Sequence, residues 1–254
     1  MKTRSLTLLA VLAAVYAVAS LLPGFPMIGV PSSKIDLARA LEMGFGFALG
    51  PYLGPPTAFL GALVGKTLGG GGVGLFFTPL ALVSSLVAAC LSRRQVRGVD
   101  GWKIAAAILA LLILGWYATP TGRAVPYVPM IHVAGLVIIL AFRGMLAEEF
   151  SEYLGGGDRR LLTLGVALSC YPSTMAGHML GNLIYIQMFG PDPLFFASVL
   201  PIAIIERLVL TAIGTAIAVP LLVVVRQLYP ELDRYRRGDA EGSRVDGTSD
   251  FSRS

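Results

Sequence analysis

Charge is what this sequence has least of. Asp, Glu, Lys and Arg make up 14% of its 254 residues, against about 25% in an ordinary soluble domain. Cysteine is scarce as well. Cys90 and Cys170 both lie inside apolar stretches, at a spacing that fits neither a disulfide framework nor a metal site. No basic run is interleaved with aromatics, so the net charge of +5 is not a nucleic-acid footprint. There is no G-x-S-x-G, no H-E-x-x-H and no paired acidic motif facing a membrane cavity, so the chain is not expected to be an enzyme. Glu148, Glu149 and Glu152 read as a solvated charged turn. No cofactor and no metal are expected.

Apolar length is what the sequence does have. Mean hydropathy is +0.74, and the apolar residues come in blocks of about 15–30 separated by short Gly/Pro loops, the pattern of bilayer-spanning helices. The expected fold is an all-α polytopic membrane protein, a helical bundle with about eight spans at 5–22, 37–50, 55–70, 74–92, 103–119, 129–147, 161–189 and 194–228. Spans two and three are short and joined only by "GPYLGPP", so a re-entrant pair is the alternative there. Lys and Arg mark the cytoplasmic side. Lys2 and Arg4, then Arg93, Arg94, Arg97 and Lys103, then Arg143, Arg159 and Arg160, then Arg226, Arg234, Arg236 and Arg237 all fall on one side if both termini are cytoplasmic. The N-terminus also resembles a signal peptide, but every later span requires it to stay inside, and it reads better as span one. Residues 1–228 thus form one transmembrane domain in the cell membrane, and the polar tail 229–254 is expected to be disordered.

"GALVGKTLGGGG", residues 61–72, imitates a nucleotide loop through Gly65-Lys66-Thr67. The phosphate loop needs G-x-x-x-x-G-K-[ST] after a strand. Here Gly61 is one residue too close, Leu60 holds the glycine position, and the flanks are membrane helix. The glycines instead recur every fourth residue, at 46, 50 and 54 and again at 61, 65 and 69, a small-xxx-small pattern that lets membrane helices approach closely. Spans two and three are therefore expected to pack tightly. Lys66, in the outer half of span three, has three open fates: snorkelling outward, a structural ion pair, or contact with a ligand.

Span seven carries Tyr171, Thr174, His178, Asn182 and Tyr185 at intervals of three, four, four and three, which places them on one helical face. Such a stripe must face protein or a cavity rather than lipid. His178 has no second His or Cys at ligand spacing, so no metal is expected there. Glu206 and Arg207 fall near the middle of span eight. Adjacent residues point about 100° apart, so they need not pair with each other. Lys34 and Asp36 in the first outer loop, Lys66 and Thr67, and Asn182 and Tyr185 converge on the outer end of the bundle. A capture site open to the exterior needs that arrangement.

Four stretches in this order resemble the S component, the substrate-binding membrane subunit of energy-coupling factor (ECF) transporters. They are "LLAVLAAVYAVASLLPGFP", "KIDLARALEMGFGFALGPYLGPPTAFLGALVGK" (closest to riboflavin-type members), "HMLGNLIYI" and "LPIAIIERLVLTAIGTAIAVPLL". Residues 101–147 depart from the family's usual six spans and read as an inserted hairpin. The resemblance implies a subunit that binds a vitamin or related micronutrient from outside and releases it inward by toppling in the membrane. A transmembrane coupling protein and two ABC-type ATPase subunits are the implied partners. The residues expected to contact substrate are Asn182, Tyr185, His178, Lys66, Thr67, Asp36, Lys34 and Glu206. Ala10, Ala13, Ala14 and Ala17 alone read as ordinary helix packing; the resemblance makes them the surface on which the coupling protein docks. The competing reading is a self-sufficient secondary transporter or channel that uses Glu206 or His178 as proton carrier.

Overall fold

A computed structural model describes residues 3–22, 24–26, 34–35, 37–154 and 158–228. Asp36 and the tail from 229 onward lie outside the described residues. The helices are α1 (Thr3–Ala19), α2 (Arg39–Leu68), α3 (Pro79–Leu91), α4 (Gly101–Ala118), α5 (Pro120–Ala124), α6 (Met130–Leu154), α7 (Arg159–Phe189) and α8 (Pro193–Leu228), with a 3₁₀ segment over Gly72–Phe77. Two short antiparallel ladders complete the described residues. β1 (Phe25–Pro26) pairs with β2 (Lys34–Ile35), and β3 (Gln95–Val96) pairs with β4 (Val99–Asp100).

The protein is all-α and membrane-embedded. Five helical segments are long and apolar enough to cross a membrane: Arg39–Leu68, Gly72–Leu91, Gly101–Ala118, Met130–Phe150 and Pro193–Val225. The apolar stretch of α1, Leu6–Ala19, is shorter. α7 has the length, but its polar stripe makes it less apolar. The outward surface is hydrophobic: Leu111, Leu114, Val137, Ile205 and Leu208 are all more than half exposed. In water so many exposed aliphatic side chains would drive aggregation, whereas against lipid they cost nothing.

α2 is where the expected pair of spans takes an unexpected form. Its hydrogen-bonded run is broken at Gly50, which has φ 77° and ψ −174°. Beyond that residue the chain doubles back, because a Cβ added at Gly54 would lie 2.7 Å from the Phe45 carbonyl and 2.8 Å from the Gly46 Cα. In a straight helix residues eight apart are about 12 Å distant. α2 is therefore a helical hairpin with limbs 39–49 and 51–68. At ~1.5 Å per residue the first limb is about 16 Å long, roughly half of a ~30 Å hydrocarbon core. The close approach of the two limbs is as the glycine repeat predicts for Gly46 and Gly54. Gly61 and Gly65 have a different partner. Their missing side chains leave room for α1, with the Ala13 carbonyl and Tyr16 against Gly61 and Ala17 and Ser20 against Gly65. Gly46 also meets the Ser85 carbonyl of α3.

Two buried clusters form. One joins α1, both limbs of α2, the start of α7 and the end of α8 through Tyr16, Met43, Phe45, Phe47, Val166, Cys170 and Ala218. The other joins α3, α4, α6, α7 and the start of α8 through Leu109, Ile113, Trp116, Ile139, Met175 and Phe196. The segment expected as an inserted hairpin, α4 with α6, is thus integral to the bundle, packed on α3 and α7. α6 also runs seven residues beyond its expected end at 147.

Candidate functional site

A group of charged and polar side chains gathers from α1, the first limb of α2, α6, α7 and α8. Arg207 of α8 is 1% exposed, the most deeply buried cation among the described residues. A buried guanidinium in a bilayer-embedded protein needs partners for its five N–H groups. Arg207 donates to Thr174 Oγ1 of α7 at 3.2 Å and forms an ion pair with the neighbouring Glu206. Its Nε has no hydrogen-bond partner. Arg39 and Glu42 of α2 lie within electrostatic reach of it. Glu42, 2% exposed, accepts a hydrogen bond from the Tyr16 hydroxyl at 2.9 Å. Arg39 Nε stands 3.7 Å from Glu42 Oε1, one helical turn away. His178 of α7 and His132 of α6 complete the group, with 3.2 Å between His178 Nδ1 and His132 Nε2 and ring planes 16° apart. An N–H···N bond needs one acceptor nitrogen, so at least one of the two rings is neutral.

The polar stripe of α7 faces protein over its N-terminal part. Tyr171 donates to the Ile131 carbonyl at 3.0 Å, Thr174 meets Arg207, and His178 meets His132. Towards the C-terminus of α7 the stripe changes character. Tyr185 is in an aromatic cluster with Phe189, Phe195 and Phe196, the ring centroids 4.9, 5.4 and 6.1 Å away. Asn182 is half-buried on the same face.

Of the residues expected to contact substrate, the fold brings His178 and Glu206 into the constellation, while Tyr185 joins the aromatic cluster. Thr67 is exposed and its hydroxyl bonds back to the Leu63 carbonyl at 2.8 Å. Lys66 is half-buried at the end of α2, its stem 4.0 Å from the Cβ position of Gly74. Lys34 lies in β2, in register with Pro26, and Asp36 is outside the described residues. Glu206 and Arg207, which helical geometry leaves free to diverge, do pair. The absence of a second His near His178 holds only along α7, since His132 reaches it from α6. Among the described residues no group of three or more His, Cys, Asp or Glu is placed to hold a metal ion.

Sequence reasoning missed Tyr16, Arg39, Glu42 and His132. A signal for two of them existed: Arg39 and Glu42 are charged residues three apart at the head of an apolar run. Nothing local marks Tyr16 or His132.

The four-alanine face of α1 is split. Ala17 is buried and abuts Gly65, and Ala13 is half-buried with its carbonyl against Gly61, so both serve contact with α2. Ala10 and Ala14 are exposed, beside exposed Val11, Val15 and Val18.

The chain is 30% identical over 193 residues to the uncharacterized protein MJ0923 of Methanocaldococcus jannaschii; the match covers 75% of this chain and 61% of the relative. The chain therefore spans less than two thirds of that relative's length. No family model and no solved structure matches.

Proposed function

We propose that this protein is a substrate-binding subunit of an ECF-type importer, which captures a vitamin or related micronutrient from outside and delivers it inward. In this reading it lies in the cell membrane with both termini cytoplasmic, and its partners are a transmembrane coupling protein and two ABC-type ATPases. The four stretches that resemble the S component supply the family reading. The observation that carries the binding role is the buried constellation itself. Arg39, Glu42, His132, His178, Glu206 and Arg207 come from four helices and meet inside an otherwise apolar bundle. Ionisable groups at membrane depth are costly and mark substrate or ion pathways. Ala10 and Ala14, exposed on α1, remain as the part of the alanine face open to a coupling protein.

The test is to purify the full chain in detergent, denature it, and identify released small molecules by mass spectrometry. A stoichiometric micronutrient supports the reading. An empty preparation that binds nothing from a micronutrient panel counts against it.

A second reading, proton-coupled transport by the isolated chain, draws on the His132–His178 contact one turn of α7 from Thr174, which accepts from Arg207. Substrate uptake into proteoliposomes driven by a pH gradient without ATPase subunits would favour it. Strict dependence on coupling protein and ATP would remove it.

A further inference from the structure

α7 holds the first turn of α6 with two polar side chains. Tyr171 donates to the Ile131 carbonyl at 3.0 Å, and His178 Nδ1 stands 3.2 Å from His132 Nε2. His132 is the third residue of α6 and is fully buried. One turn further along α6 the two helices touch through backbone, since a Cβ added at Gly135 would lie 3.3 Å from Pro172 Cα. Of these contacts the imidazole pair is the one that protons can change. A neutral pair makes a single N–H···N bond. A pair with one added proton makes it too, because that proton settles on a nitrogen outside the bond and leaves the bond charge-assisted. A second added proton must take the acceptor nitrogen. Two N–H groups then face each other, each on a cation.

We infer that the His132–His178 pair is a proton-operated latch, which holds the first turn of α6 on α7 with up to one added proton and releases it when a second arrives. The surroundings favour release over accommodation. Arg207 donates to Thr174, one turn of α7 before His178, so a cation already stands beside the pair. Arg207 bears on both rings, and Arg39 of α2 bears on His178. The carboxylates of the same helices are engaged: Glu206 pairs with Arg207, and Glu42 accepts from Tyr16 and lies 3.7 Å from Arg39 Nε. α3 has no charged side chain, and Lys103, the charged residue of α4, is held by Asp100 at 2.7 Å. Along α6 the next charged residue, Arg143, is about three turns away, and Arg159 and Arg160 of α7 are about five turns from His178. His132 also sits at the N-terminal end of α6, where the helix carries partial positive charge. A second proton therefore arrives among cations and engaged carboxylates, and parting of the rings relieves the repulsion. The Gly135 contact involves no titratable group, so the opening is confined to the start of α6. The inference rests on neither transport reading.

His132 and His178 are the two histidines of the sequence. Labelling histidine with ¹⁵N in the full chain, purified in detergent without a histidine tag, therefore gives two rings to follow by NMR. The titration runs from about pH 8 to about pH 4, across the imidazole range. Amide exchange at 130–134, corrected for its intrinsic pH dependence, reports the latch in the same samples. The rings are expected to titrate in two linked steps about one pH unit or more apart. Exchange at 130–134 should rise about tenfold after the second step and not after the first, while amides beyond Gly135 keep their protection. His178→Asn keeps an amide near the Nδ1 position, cannot titrate there, and should abolish the acid-induced rise. His132→Gln does the same at the Nε2 position. Where a variant folds poorly, the wild-type titration decides. Independent titration of both rings near the ordinary value of ~6.5 would overturn the inference. So would a second step with unchanged exchange, no second step above about pH 4, or an equal rise in a well-folded variant. Each of these outcomes leaves the substrate-binding reading intact, because none of them reads a ligand.

Discussion

Both buried clusters of this protein contain bulky side chains, but their closest helix contacts differ in kind. On the α1–α2 side the backbones meet through glycine and alanine: Gly54 against Gly46, Gly46 against α3, Gly61 and Gly65 against α1. On the α4–α6 side the contacts are made by bulk. Trp116, fully buried, stands edge-on to Phe196 at 5.0 Å and 89°, in the cluster that also holds Leu109, Ile113 and Ile139. In lipid neither side gains from hydrophobic exclusion, so each depends on contact quality. The first obtains contact by removing side chains, the second by interlocking them. They should therefore fail in opposite directions, one when volume is added and the other when it is taken away.

The largest effect is expected on the bulky side. Trp116→Ala removes the largest fully buried side chain and should cost about 3–5 kcal/mol of unfolding free energy, read by denaturation in mixed micelles. A loss under ~1 kcal/mol would mean that the α4–α6 side is held by something other than this contact. Gly46→Val should cost about 1–3 kcal/mol by the same assay, because the added carbons meet the Ser85 carbonyl of α3 rather than a side chain that can rotate away. The converse change sharpens the contrast. Ala→Gly at Ala13, where the contact with Gly61 is made by the Ala13 carbonyl, should fall within about 1 kcal/mol, the helix-propensity cost alone. Smallest of all is Tyr16→Phe, which deletes the hydroxyl bonded to Glu42 and should cost ~0.6 kcal/mol, the usual worth of a hydrogen bond between membrane helices. A much larger loss would show that Tyr16 holds the charge of Glu42 in place.

How much of this was legible in the sequence follows the same division. The positions of α3, α4, α6, α7 and α8 follow from apolar length and Gly/Pro punctuation, because those signals are local, whereas the five-residue α5 has no such signal. The spacing of Tyr171, Thr174 and His178 places them on one protein-facing side of α7, since helical periodicity fixes which residues share a face. Periodicity is silent on which neighbour that face meets. His178 shows no partner within α7, and the partner, His132, lies 46 residues earlier. Likewise Gly61 and Gly65 announce a close contact without naming it, and the contact is α1 rather than the other limb. Arg39 and Glu42 were readable as charges but looked like the polar edge of a span. Only the Gly50 break reveals that a limb this short places its head inside the bundle.

That break bears on how the chain enters the membrane. Segments leave the insertion machinery according to their own hydrophobicity, and about 20 apolar residues are needed to stay in the bilayer. The first limb, 39–49, is only eleven residues long, and two of those are charged. It lacks the length to partition by itself, so it must wait in water or at the headgroups until residues 51–68 have been synthesised. The two limbs then go in together, closed by the Gly46–Gly54 contact, and Arg39 and Glu42 are carried to their depth by a neighbour rather than by any affinity of their own. A mutation that opens that contact would therefore act during synthesis, leaving a chain with a missing limb, before the finished protein had any stability to lose.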